Sequence, residues 1–127
     1  MIHLDTHVVA WLAAGEVRRI SELVLQRLEQ DAVAISPMVE LELAFLQEIG
    51  RLTQAPDPIL AELRRSIGLK LDETSFRDVV EQARNSRLEF TRDPFDRMIA
   101  AQAAAAGVQL VSKDRKMRKH LEFVIWD

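Results

Sequence analysis

Ile2-His3-Leu4-Asp5-Thr6-His7-Val8-Val9-Ala10-Trp11-Leu12 joins an apolar run, an acid and a second apolar stretch of different period. The first three residues fit a short strand. Thr6 fits the N-cap of a helix whose apolar positions are Val8, Val9, Trp11 and Leu12, with Gly15 as its stop. A strand that runs through an acid into a helix is the start of a βα unit, and the rest of the chain continues the alternation. Ser21 fits the cap of a helix over residues 22–30, with Leu23, Val24 and Leu28 facing inward, and residues 32–35 form a β-rich run. Ser36-Pro37 starts a helix reaching about residue 49, Ser as cap and Pro at the first position, and Gly50 ends it.

Downstream, Ala55-Pro56-Asp57-Pro58 reads as a turn, residues 59–67 as a helix closed by Gly68, and residues 69–71 as a short strand. Thr74 fits the cap of a helix over residues 75–88. Asp93-Pro94 opens another helix that ends at Gly107. Strands over residues 108–111 and 123–125 bracket a short helix over residues 114–120. Alternating strands and helices predict an α/β fold: a mostly parallel sheet with helices on both faces, joined by right-handed crossovers. Such sheets bind ligands beyond the carboxyl ends of their strands, where Asp5 and Asp114 are expected to emerge.

The chain has 127 residues, enough for one domain with a real core, and no repeat or linker divides it. It is 48% hydrophobic and 29% charged, which excludes a disordered chain. The absence of cysteine excludes disulfides and thiolate metal sites and fits a cytoplasmic setting. No basic leader precedes an apolar segment, and no stretch approaches the roughly 20 apolar residues of a membrane span. The net charge of −3 speaks against indiscriminate nucleic-acid binding. Lys113, Arg115, Lys116, Arg118 and Lys119 nevertheless make one local basic segment around Asp114, compatible either with a phosphate-bearing partner or with a solvated helix face.

Four acids stand where this fold would gather them: Asp5, Glu42, Asp96 and Asp114. Glu42 has Val39, Phe45 and Leu46 as its helical neighbours, so it occupies an apolar stripe where a carboxylate needs a partner. Asp5 and Asp114 could equally be turn or cap residues. In Asp93-Pro94-Phe95-Asp96, Asp93 suits the cap and Asp96 the first turn, and both would stabilise a helix with no chemistry involved. What favours a site is convergence, because independent caps need not point into one crevice. Clustered carboxylates repel, and a hard cation with oxygen ligands relieves that repulsion. Mg²⁺ or Mn²⁺ would then activate a water, which predicts phosphodiester hydrolysis.

The chain resembles the PIN-domain family, and within it the VapC-type ribonuclease toxins of bacterial toxin–antitoxin pairs. The resemblance lies in Leu4-Asp5-Thr6-His7, in Ile35-Ser36 with Glu42, in Asp93-Pro94-Phe95-Asp96-Arg97 with Ile99-Ala100-Ala101-Gln102-Ala103, and in Leu110-Val111-Ser112-Lys113-Asp114. These segments cover essentially the whole chain, residues 1–127, in family order and spacing. The resemblance implies a three-layer α/β/α sandwich and a Mg²⁺- or Mn²⁺-dependent endoribonuclease with Asp5, Glu42, Asp96 and Asp114 as metal-binding acids. It places Asp93 at a recurrent acid of the subgroup, and Ser36 and Ser112 at positions of small hydroxyl residues, Ser112 standing where Thr is more usual. It further implies an RNA substrate, a homodimer and a small VapB-like antitoxin that blocks the site.

Arg92, Arg97, Arg115 and Lys116 are the basic residues nearest the expected site and suit RNA phosphates, with Arg97 also able to pair with an acid. His3 on a strand is expected to be packed or at the surface, not a ligand. Trp11 and Trp126 suit the core or a dimer interface, and no aromatic stacking platform is legible. Residues 100–106 are alanine-rich and permit close helix approach. A phosphatase of the haloacid dehalogenase type would need a second Asp where His7 stands. A non-catalytic PIN-fold binding module and a structure-specific DNA nuclease remain as alternatives, the latter because metal-activated water has no need of a 2′-hydroxyl.

Overall fold

A computed structural model describes residues 1–127. Five strands form one sheet: β1 (Ile2–Leu4), β2 (Val33–Ile35), β3 (Lys70–Leu71), β4 (Gln109–Val111) and β5 (Val124–Ile125). Their order is β3-β2-β1-β4-β5 and every pairing is parallel, so all five carboxyl ends share one edge. The register sets Ile2 opposite Val33 on one side and opposite Gln109 on the other.

Seven helices connect the strands: α1 (Thr6–Ala13), α2 (Glu22–Gln30), α3 (Pro37–Glu48), α4 (Pro56–Ile67), α5 (Phe76–Ala83), α6 (Pro94–Ala106) and α7 (Arg115–His120). Helices cover both faces, which is why β1 and β2 are buried along their whole length and read as continuous apolar runs. The core runs from Ile2 to Trp126 and joins Leu4, Ile35, Leu43, Ile99 and Leu110, each almost inaccessible. Ala100, Ala101 and Ala103 are fully buried on α6, a helix that packs against α5, α3 and β4, so the small residues serve packing within the chain.

Four local expectations change. Asp5, not Thr6, is the N-cap of α1: it is extended (φ −73°, ψ 158°), and Thr6 is already the first helical residue. The Pro56-Asp57-Pro58 segment is the first turn of α4 instead of a separate turn, since prolines there sacrifice only N–H groups that a helix start leaves unpaired. Ser75 takes the cap of α5 by accepting from Asp78 N, and that helix stops at Ala83, with a separate 3₁₀ turn over Ser86–Leu88. Leu23 is exposed while Val24 carries the buried face of α2.

The chain moves from β1 outward through β2 and β3, then returns to the far side of β1 with β4. The reversal leaves a crevice beyond the ends of β1 and β4, the place where sheets of this kind bind ligands.

Candidate active site

Asp5 is the first residue past β1, and three hydrogen bonds fix it. Its N–H donates to Val111 O at 3.0 Å, tying it to the end of β4. Its Oδ1 accepts from Thr6 N at 2.7 Å, and its Oδ2 accepts from Ser112 Oγ at 2.6 Å. The Ser112 hydroxyl also accepts from Asp114 N at 3.1 Å, so it orients one acid and the backbone of another.

Glu42 reaches the same crevice from α3. Its helical neighbours Val39, Leu43 and Leu46 enter the core, leaving the carboxylate on the margin of the apolar stripe with only 8% of the residue exposed. Asp96 comes from the first turn of α6. Asp93 caps that helix by accepting from Phe95 N at 2.8 Å and Asp96 N at 3.2 Å, and Pro94 holds the first helical position. Oxygens of Asp5, Glu42 and Asp96 lie within 4.8 Å of one another. Asp114 stands at the rim, where its Oδ1 caps α7 through Met117 N at 2.9 Å. Asp93 and Asp114 therefore both cap helices and line the crevice, and the tight cluster comprises the other three acids.

None of the ion pairs in the chain involves these acids. Burial drives the Asp96 carboxyl up to about 7, and the neighbouring charges of Asp5, Asp93, Glu42 and Asp114 push the same way. Burial also raises Glu42, opposed by the Thr6 hydroxyl facing it and reinforced by the Asp5 charge. Asp5 is raised by burial too, against the hydrogen bonds from Ser112 and Thr6. Three oxygen donors under mutual repulsion, none of them in an ion pair with an ammonium or guanidinium, fit a hard divalent cation.

The surroundings are asymmetric. On one side a cleft of about 600 Å³ is walled by His7, Trp11, Phe45, Ile49, Arg51 and Lys113 together with the acids. Trp11 lies 6.1 Å from both the His7 and Trp126 rings, and Lys113 Nζ sits 5.9 Å from its centroid. Aromatic surface thus borders the site although none was legible in the sequence, because His7, Trp11 and Phe45 come from two different helices. On the other side Arg92, Arg115 and Lys116 line a groove that shares Asp93, Asp96 and Asp114 with the first. Arg97 is absent from both. Its Nε donates to Ala83 O at 2.8 Å, where a guanidinium satisfies a carbonyl that the end of α5 leaves free.

Ser36 does not touch the acid cluster. It caps α3 by accepting from Met38 N at 3.1 Å and donates to Gln102 Oε1 at 3.0 Å. His3 is packed, as expected, with Nε2 3.1 Å from Asp72 Oδ2. Asp72 carried no signal in the sequence and Gln102 entered only as part of a segment that carries the resemblance, since each is a lone polar residue whose partners are distant along the chain.

A family profile described as PIN domain matches residues 2–121. Ribonuclease VapC22 of Mycobacterium tuberculosis is 35% identical over 124 residues, covering 92% of this chain and 89% of that protein. Among solved structures, VapBC2 from Rickettsia felis bound to a DNA fragment from its promoter matches with a TM-score of 0.72, 20% identity and full coverage of both chains. DNA-bound VapBC from Salmonella typhimurium matches with a TM-score of 0.66 and 21% identity, over 94% of this chain and 92% of that one. A toxin–antitoxin complex from Klebsiella pneumoniae matches at 0.65 and 19%, over 98% and 96%. At these identities the structural matches speak for the fold.

Proposed function

The chain belongs to the PIN-domain family, and from that premise we propose that it is a divalent-metal-dependent endoribonuclease, the toxin of a VapBC-type pair. We read residues 1–127 as one PIN domain. The observation that carries the reading is the meeting of Asp5, Glu42 and Asp96 within 4.8 Å at the reversal point of a parallel sheet. Support comes from the VapC ribonuclease that is 35% identical over most of both chains.

In this reading Asp5, Glu42 and Asp96 hold Mg²⁺ or Mn²⁺, with Asp114 and Asp93 beside them. The bound ion supplies a water of lowered pKa and positive charge for a phosphate oxygen. The chain's own residues do the rest. Ser112 and the Thr6 amide hold both Asp5 oxygens in place, so one ligand needs no reorganisation. Burial of the cluster lowers the local dielectric and strengthens attraction to a cation. Arg92, Arg115 and Lys116 lie along the adjacent groove, where they would take flanking phosphates and align the backbone past the acids. A VapB-like antitoxin covering the cleft would block access, and a homodimer is the expected assembly.

The test is cleavage of labelled total RNA by purified, antitoxin-free protein in Mg²⁺, Mn²⁺ or EDTA, with labelled DNA in parallel and an Asp96→Asn variant prepared identically. Metal-dependent RNA cuts that vanish in the variant are expected. Cuts that persist in the variant, or cutting confined to DNA, would overturn the assignment.

A further inference from the structure

A second polar cluster lies buried behind the acids. Ser36 Oγ donates to Gln102 Oε1 at 3.0 Å, and Gln102 Nε2 donates to Asp72 Oδ1 at 2.8 Å. The other Asp72 oxygen faces His3 Nε2 at 3.1 Å, and Thr74 N donates to Oδ1 at 2.9 Å. Ser36, His3 and Gln102 are each at most 4% exposed.

Donor and acceptor roles fix the direction of this chain. The Ser36 oxygen already accepts from Met38 N, which frees its proton for Gln102. An ionised carboxylate only accepts, so the Gln102 amide must turn its NH₂ toward Asp72 and its oxygen toward Ser36. For the same reason His3 carries its proton on Nε2. That leaves Nδ1 buried with no partner, a cost that an apolar residue at this position would avoid.

The members are placed in a particular way. His3 lies on β1, two residues before Asp5, which follows directly on that strand in extended conformation. Ser36 caps α3, the helix that carries Glu42, and Gln102 lies on α6, the helix that carries Asp96. Asp72, held to the end of β2 through its own N–H on Ile35 O at 2.8 Å, is the hub. Each of the three elements that presents a carboxylate to the cluster is thus bonded into one network. The carboxylates repel and would spread if the elements were free to shift.

We propose that Ser36, Gln102, Asp72 and His3 form a positioning network that sets the spacing of Asp5, Glu42 and Asp96 against their mutual repulsion. This rests on the metal-site reading above. Its members act through the backbone elements and touch neither substrate nor ion.

Gln102→Met keeps length and volume but breaks both central links, whereas Asp72→Asn keeps an acceptor for Gln102 and Thr74 and presents its NH₂ to His3, whose Nε2 accepts it in the other tautomer. Val24→Ala on α2, which carries no site residue, serves as a destabilised control. Mn²⁺ affinity measured by calorimetry without RNA should fall by about tenfold or more in Gln102→Met, the scale seen when groups supporting metal ligands are removed. It should be largely retained in Asp72→Asn and unchanged in Val24→Ala at a comparable loss of Tm. A Gln102→Met protein that loses Tm yet binds Mn²⁺ like the parent would overturn the proposal. A crystal structure of metal-free Gln102→Met gives a readout that survives failure of the metal reading. If the parent binds no Mn²⁺, that reading falls. The network is then judged by whether the three carboxylates spread beyond 4.8 Å or stay clustered, the latter overturning it.

Discussion

Asp96 concentrates the tension of the site, because it is buried among like charges and makes no ion pair. Its carboxyl rises from an ordinary 3.8 to about 7 in the folded protein. The folded state therefore holds a proton that the unfolded chain gives up at lower pH. Stability from this group is complete below about 3.8 and is lost as pH rises through about 7. Metal-free protein should show a Tm that declines over that window more steeply than Asp96→Asn does, a comparison that differential scanning calorimetry makes directly. At pH 8, Mn²⁺ should raise the Tm of the parent and leave that of Asp96→Asn nearly unchanged. Asp72 behaves oppositely. Burial works against its charge, but hydrogen bonds from Thr74 and Gln102 and the nearby His3 hold it down at about 2. Its contribution is present above 3.8 and lost as pH falls toward 2. One carboxylate is kept charged by its hydrogen bonds in spite of burial, while burial and like charges keep the other protonated up to about 7.

At the level of elements, the helix starts deliver the acids. Asp5, Asp93 and Asp114 each cap a helix, and Asp96 and Glu42 lie within the helices that follow such caps. A cap role and a site role are thus compatible in one residue, and Asp93 is where they can be separated. Asp93→Ala should lower stability by about 1 kcal/mol in urea unfolding, as loss of a cap does. Asp93→Ser should restore the stability and keep cleavage within a few-fold of the parent. A Ser variant as stable as the parent but inactive would instead make Asp93 a ligand. Capping signals were legible because they are local: Ser21, Ser36 and Asp93 all cap the helices their sequences announce. The helix starts expected at Thr6 and Thr74 each lie one residue from the true cap, since adjacent polar residues compete for the same role and packing decides between them.

For the whole molecule, charge is distributed so that an acid cluster sits beside a basic groove on a chain of net charge −3. Arg115→Ala combined with Lys116→Ala should weaken RNA binding and reduce the salt dependence of log K by about 2, one for each phosphate left without its cation. Tm should be nearly unaffected, because both side chains are exposed. A fluorescence-anisotropy titration over several salt concentrations reads both effects. Arg97→Ala should leave the slope unchanged and lower stability instead, because that guanidinium is engaged at the end of α5. By itself the sequence determined the alternation of strands and helices, a mostly parallel sheet, and an expected convergence of Asp5, Glu42, Asp96 and Asp114, of which the first three meet within 4.8 Å. Those follow from local periodicity, from caps and from the handedness of crossovers, which admit few arrangements. Tertiary structure alone decided that Asp114 stands at the rim, that Arg97 bonds the end of α5, and that Trp11 and Phe45 border the cleft. It also decided that His3, Asp72, Gln102 and Ser36 join one network. These outcomes depend on distances of a few ångströms between side chains far apart in sequence, such as the 69 positions between His3 and Asp72, and no local pattern of residues encodes such a distance before the elements pack.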